Sequence, residues 1–163
     1  MKNRFMKRTA SLLPLWLAAC LLTSCLTAGL EELPAFEEAE ITDVNFEYRY
    51  KDPGSVWIDG EQTVKWINLP VQNRVIDSGA GTVTCTLQVP AADGAFTEAI
   101  RGQVALNSLA GKFYLSAAAR IEPLEGAPTL GAPGDFSAPR KYKVTAANGT
   151  SKTWTVHVTA LNR

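Results

Sequence analysis

Lys141-Tyr142-Lys143-Val144-Thr145-Ala146-Ala147-Asn148-Gly149-Thr150-Ser151-Lys152-Thr153-Trp154-Thr155-Val156-His157-Val158 decides the fold of this chain. Tyr142 and Val144 alternate with Lys141, Lys143 and Thr145. Trp154, Val156 and Val158 alternate with Thr153, Thr155, His157 and Thr159. Side chains of a strand point in turn to opposite faces of a sheet, so a two-residue period marks a strand with one buried face. Asn148-Gly149 between the runs is a hairpin signal, because both residues tolerate positive φ. This pattern places Trp154 in a core beside Tyr142 or Val144, and His157 on the polar face.

The same period recurs upstream. In Gly81 to Val89, Val83, Cys85, Leu87 and Val89 alternate with Thr82, Thr84, Thr86 and Gln88, which puts Cys85 on the apolar face. Val44, Phe46, Tyr48 and Tyr50 alternate with Asn45, Glu47 and Arg49. Asp52-Pro53-Gly54-Ser55 then reads as a turn that ends this strand. Val56-Trp57-Ile58 and Thr63-Val64-Lys65-Trp66-Ile67 read as two short strands about the Asp59-Gly60 hairpin signal, with Pro70 closing the section. Gln103 to Leu106 and Lys112 to Ser116 are further strand candidates, and Ala117-Ala118-Ala119 reads as strand or as a helical turn. Ile121 to Pro139, rich in Gly and Pro, reads as a long connection wrapping across the domain. Nine or so short strands with regular turn signals predict an all-β sandwich, with no internal repeat and no amphipathic helix.

The N-terminus has another character. Met1 to Arg8 is basic, Leu12 to Ala19 is apolar, and Leu22-Thr23-Ser24-Cys25 closes the segment in the manner of a lipobox. Counted on through Cys20-Leu21-Leu22, the apolar run is about 11 to 13 residues and falls short of the roughly 20 needed for a spanning helix. Residues 1–24 therefore read as a lipoprotein signal peptide and Cys25 as the lipidated residue. Leu17-Ala18-Ala19-Cys20 fits the same pattern and makes Cys20 the second choice. Cutting there would leave Leu21 and Leu22 beside the anchor, whereas Cys25 leads into polar chain. One acyl chain holds a protein to a membrane weakly, and stable anchoring takes more than one; bacterial lipoproteins resembling this pattern carry three. Residues 25–40, with Glu31, Glu32, Glu37, Glu38, Glu40 and Pro34, read as an acidic, solvated tether. Residues 41–163 form the sandwich module.

Composition narrows the function. The chain has 163 residues with 16 basic and 16 acidic side chains. Removing the four basic residues of the signal leaves 12 basic against 16 acidic, a net charge of −4. Such a module lacks the basic surplus of a nucleic-acid binder. With Cys20 removed and Cys25 lipidated, Cys85 stands alone, so no disulfide staples the core. A lone thiol on an apolar face is a small buried hydrophobe before it is a nucleophile. His157 is the single histidine, and a metal centre needs partners that the chain does not supply. No Gly-x-Ser-x-Gly elbow occurs. Glu122, Glu125 and Asp135 offer a choice of paired carboxylates, as most short chains do. Gly79-Ala80-Gly81 lacks the rest of a phosphate-binding loop. No cofactor and no metal are expected.

Gly134-Asp135-Phe136-Ser137, Lys141 to Thr150 and Lys152-Thr153-Trp154-Thr155-Val156 resemble the closing hairpin of immunoglobulin-like modules in outer-membrane lipoproteins of Gram-negative gut anaerobes. Leu22-Thr23-Ser24-Cys25, Ala39-Glu40-Ile41-Thr42 and Ile121-Glu122-Pro123-Leu124 resemble one such group, whose domain has no assigned function. Asn148 stands where that family more often has Asp, and it suits the same turn. The resemblance implies an immunoglobulin-like antiparallel β-sandwich with a surface or periplasmic binding role, and it brings no catalytic residues. Leu26 after the cysteine, in place of Asp, matches outer-membrane sorting by resemblance to the usual Gram-negative rule. The expectation is a lipid-anchored, non-catalytic outer-membrane protein, attached to the membrane through its N-terminal lipid. It would bind a glycan or an envelope protein; the alternative is a structural spacer or assembly component of an envelope complex. Trp57 is the candidate ligand-binding aromatic: its parity opposes that of Val56 and Ile58, and an exposed indole would stack on a sugar ring.

Overall fold

The computed structural model describes residues 35–56 and 59–163. Cys20, Cys25 and Trp57 lie outside the described residues. The strands are β1 (Ile41–Val56), β2 (Gln62–Leu69), β3 (Val71–Asp77), β4 (Thr82–Gln88), β5 (Leu109–Leu115), β6 (Arg120–Leu124), β7 (Pro133–Gly134), β8 (Arg140–Thr145) and β9 (Ser151–Asn162). They form a four-stranded sheet in the order β2-β1-β5-β7 and a five-stranded sheet in the order β3-β4-β9-β8-β6. The two pack as an immunoglobulin-like sandwich.

The alternating residues meet between the sheets. Val44, Phe46 and Tyr48 of β1 face Val83, Cys85 and Leu87 of β4 and Trp154, Val156 and Val158 of β9 in one buried cluster. Phe113 of β5 crosses the gap to Tyr142 of β8, edge to face at 5.1 Å, and Phe136 meets Phe46 at the same distance. Gly111 makes room for these rings: a Cβ there would sit 2.9 Å from Phe136 and 3.1 Å from Phe113. Burial pushes the Cys85 thiol up to about 11.

The closing hairpin forms in the expected register, with Tyr142 opposite Trp154. Its turn is wider than a two-residue hairpin. Gly149 N–H donates to Ala146 O (3.0 Å), Ala146 N–H donates to Thr150 O (2.8 Å), and Asn148 Oδ1 accepts from Thr150 N–H (2.8 Å). Gly149 takes φ of 90°, whereas Asn148 does not enter the positive region, contrary to expectation. A further departure concerns direction. β9 pairs antiparallel with β8 but parallel with β4, so the sandwich is not antiparallel throughout. The last strand fills the slot between β8 and β4, and their directions leave it one partner of each kind.

Several local expectations are corrected. Asp52-Pro53-Gly54-Ser55 does not end β1. It is a bulge within it: Asp52 Oδ1 accepts from Gly54 N–H (2.9 Å), and pairing resumes at Val56 opposite Gln62. Val56 thus belongs to β1 and not to a separate strand. Val71–Asp77, not anticipated as a strand, forms the edge strand β3, interrupted by Asn73 at φ of 48°. Gln103 to Leu106 is not a strand. Glu98–Gln103 is a short helix, α1, capped by Thr97 Oγ1 accepting from Ile100 N–H, and Leu106–Ser108 is a 3₁₀ turn. Ala117–Ala119 is a turn, with Ala118 at φ of 58°. The Ile121–Pro139 connection does cross from one sheet to the other and back, but it carries β6 and β7 on the way.

Ala35–Arg163 is one compact unit. The end of the anticipated tether lies against it. Phe36 O accepts from Asn148 N–H (3.1 Å), Glu40 O accepts from Ser116 N–H (3.0 Å), and Ala39 is buried. Trp154, fully buried, donates its Nε1–H to Ala39 O at 2.9 Å.

Truncating a buried Trp costs about 3–5 kcal/mol, against about 5–15 kcal/mol for a whole domain. Trp154→Ala therefore cripples folding of a soluble protein beginning at Ala35, whereas His157→Ala on the outer face shifts stability by less than about 0.5 kcal/mol. Denaturant unfolding of both variants checks this; equal effects would mean the faces are reversed. Cys85 resists thiol reagents in the native protein and reacts after denaturation, and rapid native labelling would disprove its burial.

Candidate functional site

The outer face of the four-stranded sheet departs from an ordinary solvated surface. β1 sends Val44, Phe46 and Tyr48 inward, so Asn45, Glu47 and Arg49 must point outward. Yet Glu47 is only 3% exposed. Its Oε1 accepts from Arg49 Nε–H at 2.9 Å, and its Oε2 is paired with Lys112 Nζ of β5. Arg49 reaches on to donate to Gly131 O at 2.6 Å. Burial alone would raise the Glu47 pKa. The hydrogen bonds and charges of Lys112 and Arg49 outweigh that and hold the carboxyl below its usual range. The carboxylate lies beneath two cations whose own side chains stay partly open to solvent.

Register places the neighbours. Trp66 pairs with Arg49, Asn68 and Ala110 flank Glu47, Asn45 pairs with Lys112, and Asp43 pairs with Tyr114. Trp66 is 62% exposed and Tyr114 56%. Large aromatic surfaces left open in this way are informative, because most bury on folding. From Arg49 to Asp43 is six residues of strand, about 20 Å at roughly 3.3 Å each. The two rings thus bracket a row of amides and charges. At the Tyr114 end of the row a groove of about 350 Å³ is lined by Asn45, Asn68, Lys112 and Tyr114 with Leu69 and Pro70. Flat rings, planar amides and fixed cations on a rigid sheet can stack on and hydrogen-bond to a polyhydroxylated chain.

Trp66 was the residue that sequence reasoning passed over. Ile67 and Leu69 share one parity, and Leu69 is buried opposite Phe46, so Trp66 and Val64 are turned outward. Lys65, on the inward parity, hid that signal. It lies past the end of the core, where it pairs with Asp52 Oδ2 at 2.6 Å.

The other sequence candidates do not converge. Glu122 pairs with Lys143, Glu125 with Lys141 and Asp135 with Arg140, each on its own stretch of surface. His157 lies on the outer face of β9 opposite Thr84. Among the described residues, no group of three His, Cys, Asp or Glu side chains could hold a metal ion. A second cleft, about 480 Å³, lies between β1 and α1 beside Tyr48, Tyr50, Gln62 and Gln103. Its aromatics are committed to packing: Tyr48 is buried and Tyr50 rests on Phe96 at 5.6 Å. No helix among the described residues is long and apolar enough to cross a membrane.

No curated protein matches the chain. A crystallised protein of Bacteroides fragilis, assigned as secreted, superposes with a TM-score of 0.70 at 44% sequence identity; the match covers 80% of this chain and 100% of that one. The profile of the DUF5018-related family matches residues 41–157, from the first residue of β1 to the outward-facing histidine of β9, and the chain belongs to that family.

Proposed function

We propose that this protein is a non-catalytic lipoprotein of the outer membrane that binds glycan on the outer face of its four-stranded sheet. The observation that carries the binding role is the exposed pair Trp66 and Tyr114, set at either end of the Asn45, Asn68, Lys112 and Arg49 row. Two large rings left open on one face, Trp66 at 62% and Tyr114 at 56%, favour a binding role over that of a purely structural spacer. The lipid anchor rests on Leu22-Thr23-Ser24-Cys25 and agrees in direction with the assignment of the Bacteroides relative as secreted. With several acyl chains on one cysteine, the module would stay at the membrane while its sheet face samples passing polysaccharide.

Cys25→Ala abolishes incorporation of labelled palmitate and releases the protein from membranes or leaves it unprocessed. Incorporation that persists in this variant and is lost in Cys20→Ala would move the anchor to Cys20.

Trp66→Ala weakens binding to any glycan captured from a polysaccharide panel by at least about tenfold. The substitution leaves unfolding within about 0.5 kcal/mol, because the side chain is exposed. Titration calorimetry and denaturant unfolding of the protein beginning at Ala35 read the two effects separately. Unchanged glycan affinity in Trp66→Ala would remove this face from the binding role.

A further inference from the structure

Resting on the glycan-binding reading, we propose that the preferred ligand is an acidic glycan, whose carboxylates sit against Arg49 and Lys112. Without the four basic residues of the N-terminal segment the chain is acidic, with 12 basic against 16 acidic residues, yet the centre of this face has the opposite sign. Glu47 is its buried carboxylate and it serves two cations, so one positive charge remains uncompensated at the centre of the row. The nearby pairs Asp43 with Arg74 and Lys51 with Glu61 are each neutral.

The cations are also held in place. Arg49 is fixed at both ends, by Glu47 and by Gly131 O, and Lys112 is drawn down onto Glu47 Oε2. A carboxylate this deeply buried on the solvent side of a sheet is costly to keep, and its pairing only offsets that cost. Its effect is to hold one guanidinium and one ammonium close to a single point, which lowers the ordering needed when an anion arrives. The groove at Lys112 continues through Asn45 and Asn68 to Tyr114, and Trp66 stands beside Arg49. Trp66 is the register partner of Arg49, and Tyr114 lines the same groove as Lys112. Charge complementarity selects an anion, and the rings and amides select a sugar chain over an acidic peptide.

The test uses polygalacturonate, alginate and hyaluronan, each beside its carboxyl-reduced counterpart, with poly-glutamate as the peptide control. The protein beginning at Ala35 is used, the span of the compact unit. The expected result is that at least one carboxylated chain binds about tenfold or more tightly than its reduced form. That preference shrinks as salt is raised from low to physiological concentration. Lys112→Gln and Arg49→Gln abolish the preference by weakening the carboxylated chain more than the reduced one, and thermal unfolding checks that both variants remain folded. Trp66→Ala weakens charged and reduced chains alike. Equal binding of the charged and reduced chains would overturn the acidic-ligand proposal and leave glycan binding intact. Binding of poly-glutamate with no acidic glycan bound, or of none of these acidic chains, would overturn the proposal itself. A Trp66→Ala variant with undiminished binding would instead strike at the glycan-binding face.

Discussion

Trp154 is the side chain on which the rest of the structure leans. It lies on β9, the central strand of the five-stranded sheet, with β4 on one side and β8 on the other. Its ring fills the core, and its Nε1–H is the donor that holds Ala39 O. Lys152 lies 4.6 Å from the ring centroid and pairs with Glu40 Oε1 at 2.8 Å. One residue thus joins the closing hairpin, the core and the chain that enters β1. Indole suits that position because it combines a large apolar body with one polar tip that must find an acceptor once buried. The acceptor is a backbone carbonyl that no strand partner claims.

The solvent face of the other sheet follows a different logic. There the protein does not minimise buried charge; it keeps Glu47 beneath Arg49 and Lys112. A neutral residue of similar size would cost less to bury. What the carboxylate provides is position: two long, flexible cations are tied to one point on the sheet. The same sheet supports this with a register that alternates core and surface along β1, so a one-residue slip would place Glu47 in the core and Phe46 in water.

Much of the sandwich was legible because its strands obey a period of two over long runs, as in Thr82–Gln88 and the β8–β9 hairpin. Legibility failed where apolar and polar parity mixed. Asp52-Pro53-Gly54-Ser55 carries every mark of a turn, but a bulge uses the same residues, and only the pairing of Val56 with Gln62 separates the two. β3 offered little pattern because it is an edge strand with a positive-φ asparagine in its middle. The parallel pairing of β4 with β9 is a matter of topology, which alternation along one strand cannot express. At the candidate site, Glu47 read as an ordinary polar-face residue. Its burial depends on Lys112, sixty-five positions away in the chain, and no local pattern announces that. Trp57, the tryptophan singled out from the sequence, lies outside the described residues, and Trp66 is turned outward by the parity of Ile67 and Leu69.

The way the chain enters the module has a mechanical consequence. Before β1 begins, Phe36 O is held by Asn148, Ala39 O by Trp154 and Glu40 O by Ser116. A pull applied at Ala35 would therefore be shared among three acceptors, held by the β8–β9 turn, the central strand and the residue that follows β5. Bonds broken together resist force better than bonds unzipped one at a time. That stretch takes the load before β1 does, so the three contacts must be lost before β1 is peeled from its neighbours.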